Sequence, residues 1–213
     1  MTGNAAWTPH VLGDLLERIE AGRSFGAASR PAQPEEWGIV KVSAMTYGEF
    51  REEENKALPA GVPIDARSEI RQGDLLLSRA NTREHVGAAV LVGHCRPRLL
   101  LSDKSLRLHP LAAVDRGWLL FALRTPSARA YLSAESGGVK AGMHNISQAA
   151  LRAMPLLVPP LLEQRRIVGS LEAAFSRLAS TDASLLAAQR KSKALRRSLL
   201  AAAIPGAGQA GPT

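Results

Sequence analysis

PPLLEQRRIVGSLEAAFSRLASTDASLLAAQRKSKALRRSLLAAAI, from Pro159 to Ile204, divides the chain and decides how it is built. Between Leu161 and Ile204 there is no proline, and Gly169 is the only glycine. A proline pair suits a helix start, because proline fits the first turn and stops a helix from running in from upstream. Pro205-Gly206 then ends the segment, so the residues predict one helix over 159–204 and a frayed tail over 205–213. At ~1.5 Å per residue, about 44 residues rise roughly 65 Å, more than a small domain is wide. A helix of that length cannot rest on its own globule throughout and needs a partner helix. Val168, Leu171, Phe175, Leu178 and Leu185, then Leu195 and Leu199, recur at the three-four spacing of a coiled-coil seam, and they are the expected dimerisation contacts. Asp182, Gln189 and Arg196 interrupt the register. Either these polar residues set register or orientation at a cost in stability, or the seam shifts by one residue near Leu195.

Residues 1–158 read differently, as mixed sequence with frequent glycine and proline. Val11–Glu20 carries helical periodicity after Pro9. Short apolar or alternating runs at Gly38–Ser43, Leu75–Ser78, Ala88–Val92, Leu99–Leu101 and Leu106–Leu108 predict strands. Trp118–Arg124 and Ala128–Leu132 predict helices broken at Thr125-Pro126. Ser147 is placed to cap a short helix over Gln148–Ala153. The fold class expected is α+β, a globular mixed-sheet domain followed by one long C-terminal coiled-coil helix. No internal repeat is visible.

The chain has 213 residues and a formal net charge of +8. That balance points to polyanions, with nucleic acid ahead of a membrane surface. Residues 161–213 hold 8 basic and 3 acidic side chains, against 19 and 16 in residues 1–160, so the helix is the more basic part. Its densest cluster is Arg190, Lys191, Lys193, Arg196 and Arg197, either a solvated face or a contact for phosphate or partner. Only 4% of the residues are aromatic, so Leu, Val, Ile and Ala must build the core. No run approaches the ~20 apolar residues of a membrane span, and no export signal opens the chain. Cys95 is the only cysteine, which excludes an internal disulfide and suits a reducing compartment, so a cytoplasmic location is expected.

Catalytic chemistry leaves few traces. There is no GxxxxGK[ST] loop for a nucleotide. Gly137-Gly138 follows Ser133-Ala134-Glu135-Ser136 rather than an apolar strand, unlike the glycine-rich turn that a methyltransferase needs. Pro159-Pro160 lacks both the Asn or Asp before it and the aromatic after it. Glu49 and Glu52-Glu53-Glu54 form the only acidic run and read as a solvated loop rather than a metal site. Ser78 and His85 are not framed by a nucleophile elbow, and the five histidines have no metal-ligand spacing. No metal, no cofactor in this chain and no catalytic role are expected.

Polar loops on a strand scaffold stand out instead. GDLLLSRANTREHVG, Gly73–Gly87, runs from a strand into a loop with Ser78, Arg79, Asn81 and Arg83. GGVKAGMHNIS, Gly137–Ser147, is a second such loop with Lys140, His144 and Asn145. Arginine and asparagine can grip guanine and adenine edges by paired hydrogen bonds, while serine and threonine suit phosphates. With Lys41 and Ser43, these residues are the candidate DNA contacts. Arg79 and Asn81 have an equally simple reading, in which they hold their loop together.

The same segments resemble the specificity subunit of type I restriction-modification systems. WTPHVLGDLL (Trp7–Leu16) looks like the start of a target recognition domain of that family. VKVSAMTYGEFREEENKALP (Val40–Pro59), GDLLLSRANTREHVG, MHNISQAALRAMPLLVPPLLEQRRIV (Met143–Val168) and RRSLLAAAI (Arg196–Ile204) are similar to further segments of it. The resemblance implies a non-catalytic chain that reads half of a split site in double-stranded DNA. Its long helix would be spacer and docking platform for methyltransferase subunits, which carry S-adenosylmethionine, and for a motor-nuclease subunit. Family members usually hold two recognition domains and two helices in one chain, whereas this sequence holds one of each. Pairing with a second copy, or with a different half-subunit, is therefore expected. The alternative reading is a DNA-binding regulator that works without methyltransferase partners.

Overall fold

The structure is a computed structural model and describes residues 7–26, 30–138 and 142–203. In chain order the strands before the first helix are β1 (Thr8–Val11), β2 (Leu16–Ala21), β3 (Gly38–Val40), β4 (Asn55–Ala57), β5 (Leu75–Ser78), β6 (Ala80–Asn81), β7 (Ala89–Leu91), β8 (Leu99–Leu100) and β9 (Ser105–Pro110). Helices α1 (Arg116–Arg124) and α2 (Pro126–Ala134) follow, then β10 (Gly137–Gly138), β11 (His144–Asn145), α3 (Gln148–Arg152), β12 (Pro155–Val158) and α4 (Leu161–Ala203). This is the α+β architecture expected, with the long helix last.

A four-stranded antiparallel sheet in the order β2-β9-β5-β7 is the centre of the globular unit. Leu75 and Leu77 on β5, with Leu106 and Leu108 on β9 and Ala89 on β7, pack beneath α1 and α2 against Leu119, Leu123 and Leu132. Leu76 and Val90, paired across the opposite face, join Val40, Met45, Ile70, Leu99 and Leu101 in a second core. A strand covered on both faces has no solvent side, which is why Leu75-Leu76-Leu77 shows no alternation. One charge lies on the second face. Arg107, only 6% exposed, sits 3.2 Å from Glu20 and 3.0 Å from Asp74, and donates to the carbonyls of Arg67 and Glu69. A buried guanidinium persists only when it is paired in this way.

Smaller sheets complete the unit. β3 pairs with β4 antiparallel and with β8 parallel, and β1 pairs with β12 from Thr8↔Val158 to Val11↔Pro155. The helix expected over Val11–Glu20 is not there. A 3-10 turn at Leu12–Leu15 leads instead into β2, which pairs with β9 through a bulge between Leu16 and Arg18. Turn and bulge together bring Leu12, Leu15, Leu16 and Ile19 inward, so their three-four spacing imitates a helix. The predicted strand over Gly38–Ser43 ends at Val40, where Val42–Met45 tightens into a 3-10 turn. Capping follows the sequence. Asp115 accepts from Trp118 N, Thr125 from Ala128 N ahead of which Pro126 opens α2, and Ser147 from Ala150 N.

The chain divides into two compact units after Val168, ten residues beyond the boundary read from the prolines. The first turns of α4 belong to the globular unit. Gln164, 1% exposed, accepts from Asp115 N and donates to Pro159 O, both at 2.8 Å, and Ile167 and Val168 pack on the core. Val168 was expected in the dimer seam, but its side chain is partly buried against the core and lies beside Gly117. The second unit, from Gly169, is helix. Its Phe175, Leu178, Leu185, Leu195 and Leu199 are each more than half exposed, and Leu171 is half-buried. The expected 205–213 tail lies outside the described residues.

Because both faces of β5 are covered, Leu76→Ala and Leu77→Ala should each cost about 2–5 kcal/mol, read as a lowered urea midpoint. A strand with one wet face would be sensitive at only one of the two positions.

Candidate nucleic-acid interface

The two polar loops singled out from the sequence are joined in space. β6, β11 and β10 form a three-stranded sheet in which Asn81 pairs with His144, Ala80 with Asn145, and Gly138 with His144. Ile146 N donates to Arg79 O, which extends this link by one residue. A third segment joins through Asn81, whose Nδ2 donates to Thr46 Oγ1 at 3.2 Å and to Ser78 Oγ at 3.4 Å. Its Oδ1 accepts from Thr82 N at 2.8 Å. Helix arginines hold the rims: Arg124 donates to the carbonyls of Gly48 and Ala89, and Arg129 to that of Glu84.

The candidate contacts sort by what their side chains already touch. Ser78 is fully buried and Asn81 nearly so, so both brace the loop and present nothing outward. Lys41 and Ser43 both bond Glu54 Oε2, at 3.0 and 2.6 Å. The Ser43 hydroxyl and then the Lys41 ammonium hold the Glu54 carboxylate below its ordinary range. The pair therefore fastens β3 to the segment entering β4, with the Lys41 side chain still 36% exposed. Arg79 is half-buried, and its backbone N donates to Lys104 O. His144 is half-buried, with Nδ1 3.4 Å from Ser136 Oγ. Arg83 and Asn145 are exposed, and Arg83 makes one 3.3 Å bond to Ser133. Lys140 lies outside the described residues.

Other groups at this surface carry no sequence signal of their own. Tyr47 is 63% exposed; the Arg51 guanidinium lies 4.7 Å above its ring and the His85 ring is 6.3 Å away. Lys56 and Lys104 border, with Lys41 and Ser43, a depression of about 450 Å³ in which Asp103 is the only acidic residue. Lysines 41, 56 and 104 are far apart in sequence and meet only because β3, β4 and the turn before β9 do. Exposed arginine, lysine, tyrosine and asparagine around a shallow basic surface can take phosphates by charge and base edges by hydrogen bonds. Among the described residues no group of three His, Cys, Asp or Glu side chains could hold a metal, and no helix is long and apolar enough to cross a membrane. Burial pushes the Cys95 thiol up to about 12, with the nearby Glu52 carboxylate adding to the shift, so the thiol stays protonated at neutral pH.

No protein-family model matches the chain. It is 30% identical over 200 residues to the EcoEI type I restriction enzyme specificity subunit of Escherichia coli, a match over 93% of this chain and 34% of that protein. The chain thus spans about a third of the length of the curated relative it matches. Its fold is that of the HsdS subunit of Thermoanaerobacter tengcongensis, with a TM-score of 0.66 at 21% identity over 97% of this chain and 51% of that one. The type I restriction-modification S subunit of M. genitalium has a TM-score of 0.54 at 17% identity over 90% and 45%. The chain is a homologue of type I restriction enzyme specificity subunits and has the HsdS type of fold.

If Asn81 braces the loops, Asn81→Ala should cost about 1–3 kcal/mol by taking their partner from the Ser78 hydroxyl and Thr82 N. Arg83→Ala should stay within about 0.5 kcal/mol, since its side chain is exposed. Paired denaturant titrations read both.

Proposed function

We propose that the chain is a non-catalytic DNA-reading module of a cytoplasmic type I restriction-modification complex. The globular unit recognises one half of a split double-stranded site, and the helix from Gly169 serves as spacer and pairing element. The observation that carries this reading is the match to a specificity subunit over 93% of the chain. The three loop segments gathered at the β6-β11-β10 sheet support it, as does the basic surface beside them. In this reading methyltransferase subunits dock on the chain, carry S-adenosylmethionine and do the chemistry, and a motor-nuclease subunit joins for cleavage. Of the residues nominated from the sequence, Arg79, Arg83, His144 and Asn145 remain the direct DNA contacts, while Lys41, Ser43, Ser78 and Asn81 position them.

Pairing of helices follows from the exposed seam. Burying a leucine side chain contributes about 1.5–3 kcal/mol, and Leu178, Leu185, Leu195 and Leu199, each more than half exposed, leave much of that unused in the single chain. A second copy, paired antiparallel, covers the seam and presents two recognition units to an inverted repeat. Light scattering at micromolar concentration should give twice the chain mass of 22.7 kDa, and a clean monomer would remove the self-pairing.

Arg83→Ala should weaken binding to a DNA duplex and lower the slope of log affinity against log salt by about 0.9, one phosphate's worth. Unchanged affinity at both low and high salt would take Arg83 out of the interface.

A further inference from the structure

On the face of the central sheet that carries Arg107, β2, β9 and residues 65–71 enclose an open cleft of about 780 Å³. Arg107 forms its floor, and Arg18, Arg23, Arg67, Arg71 and Arg116 surround it. Three carboxylates lie among them, and each is already engaged. Glu20 and Asp74 hold Arg107, and Asp65 holds Arg67 at 3.0 Å. The side chains of Arg18 and Arg23 make no hydrogen bond or ion pair within 4.0 Å among the described residues, though Asp65 feels the charge of Arg23. Arg71 is 72% exposed, 4.0 Å from Glu69, and Arg116 gives one N–H to Gly73 O. Six arginines thus line the cleft against three carboxylates, with Glu69 beside Arg71, so among the described residues the cleft stays net positive.

We infer that this cleft is a second nucleic-acid contact, one that takes the sugar–phosphate backbone of duplex DNA beyond the bases read by the loops. The inference rests on the DNA-reading function proposed above. Guanidinium groups suit phosphate because they offer forked N–H pairs with permanent charge. The only apolar residues in the wall are Ala21 and Ala66. The cleft holds no Phe, Tyr or Trp to stack a base and no apolar anchor typical of a protein hot spot; its one ring, His109, lies 3.2 Å from Glu20 through Nε2. Its charge can act on a backbone without selecting sequence.

Continuity with the loop surface gives the cleft its role. Arg23 closes one end, and the next residue, Ser24, borders the depression that holds Lys41, Lys56 and Lys104. Lys104 O in turn accepts from Arg79 N at 2.8 Å. A side chain at Gly22 would collide with the backbone carbonyls of Leu101 and Ser102, so glycine is what lets this crossing close. Arg18 and Arg23 are five residues apart on nearly extended chain, about 16 Å at ~3.3 Å each. That is roughly five steps of the 3.4 Å rise along one DNA strand. The basic track thus follows a backbone past the edge of the recognised bases.

The test is fluorescence anisotropy of the full chain with a labelled duplex of about 30 base pairs, titrated between 50 and 200 mM salt. Arg18→Gln and Arg71→Gln should each lower the slope of log affinity against log salt by about 0.9, and the pair by about 1.8. Arg71→Lys should restore most of its share. Both side chains are exposed, so melting temperatures should not move and a folding defect is read separately. Wild-type binding with unchanged slopes in both glutamine variants would overturn the cleft and leave the DNA-reading proposal standing. A wild-type chain that binds no duplex even at 50 mM salt would overturn both.

Discussion

Three consecutive leucines on β5 can be buried only if both faces of the central sheet are covered, and the rest of the globular unit answers that demand. α1 and α2 cover the face of Leu75 and Leu77. The segments around β3 and β8, with the 3-10 turn at Val42–Met45, cover the face of Leu76. The second layer is made mostly of short strands and turns, so the long connections that carry polar residues are drawn over the sheet rather than left to wander. β9 meets the same demand with one exception. Arg107 takes the place of an apolar residue and must be surrounded by acceptors. Meeting its hydrogen-bonding needs pulls residues 65–71 onto the sheet edge and creates the wall of the arginine cleft.

The same economy places the polar loops. Asn81 is a buried residue with three local partners, and it fixes where Thr46, the 78–82 segment and β11 meet. Removing it would disorder several outward-facing side chains at once without touching any of them. The β1–β12 pairing and the two bonds of Gln164 secure the first turns of α4. These turns, up to Val168, are thus part of the globular unit's own packing.

Much of this was legible in the residues. The proline pair at 159–160, the cap Ser147, the break at Thr125-Pro126 and the five predicted strands, seen as β3, β5, β7, β8 and β9, stand close to where composition and periodicity put them. The other seven strands among the described residues left no such signal. The fold class and the family resemblance also hold. Val11–Glu20 misled because a 3-10 turn followed by a bulge reproduces helical spacing, and only the pairing with β9 separates the two. Ser78 and Asn81 have the chemistry of base readers, but sequence cannot tell a polar group that faces outward from one that holds a turn closed. Val168 continues the heptad yet is captured by the core beside Gly117, a tertiary contact that no periodicity can reveal. The arginine cleft was invisible for a related reason. Its members come from β2 and the residues just after it, the 65–71 segment, β9 and α1, and no linear window holds more than two or three of them. The one local hint was the alternation Leu106-Arg107-Leu108-His109, which marks a polar strand face.

The central proposal, that the chain selects the DNA sequence on which another subunit acts, meets its most direct test in methylome sequencing of cells that express it with a type I modification subunit. It predicts adenine methylation at a split motif, two short half-sites around a fixed spacer, that disappears when this chain is omitted. Methylation that is the same with and without the chain, or confined to an unsplit motif, would contradict it.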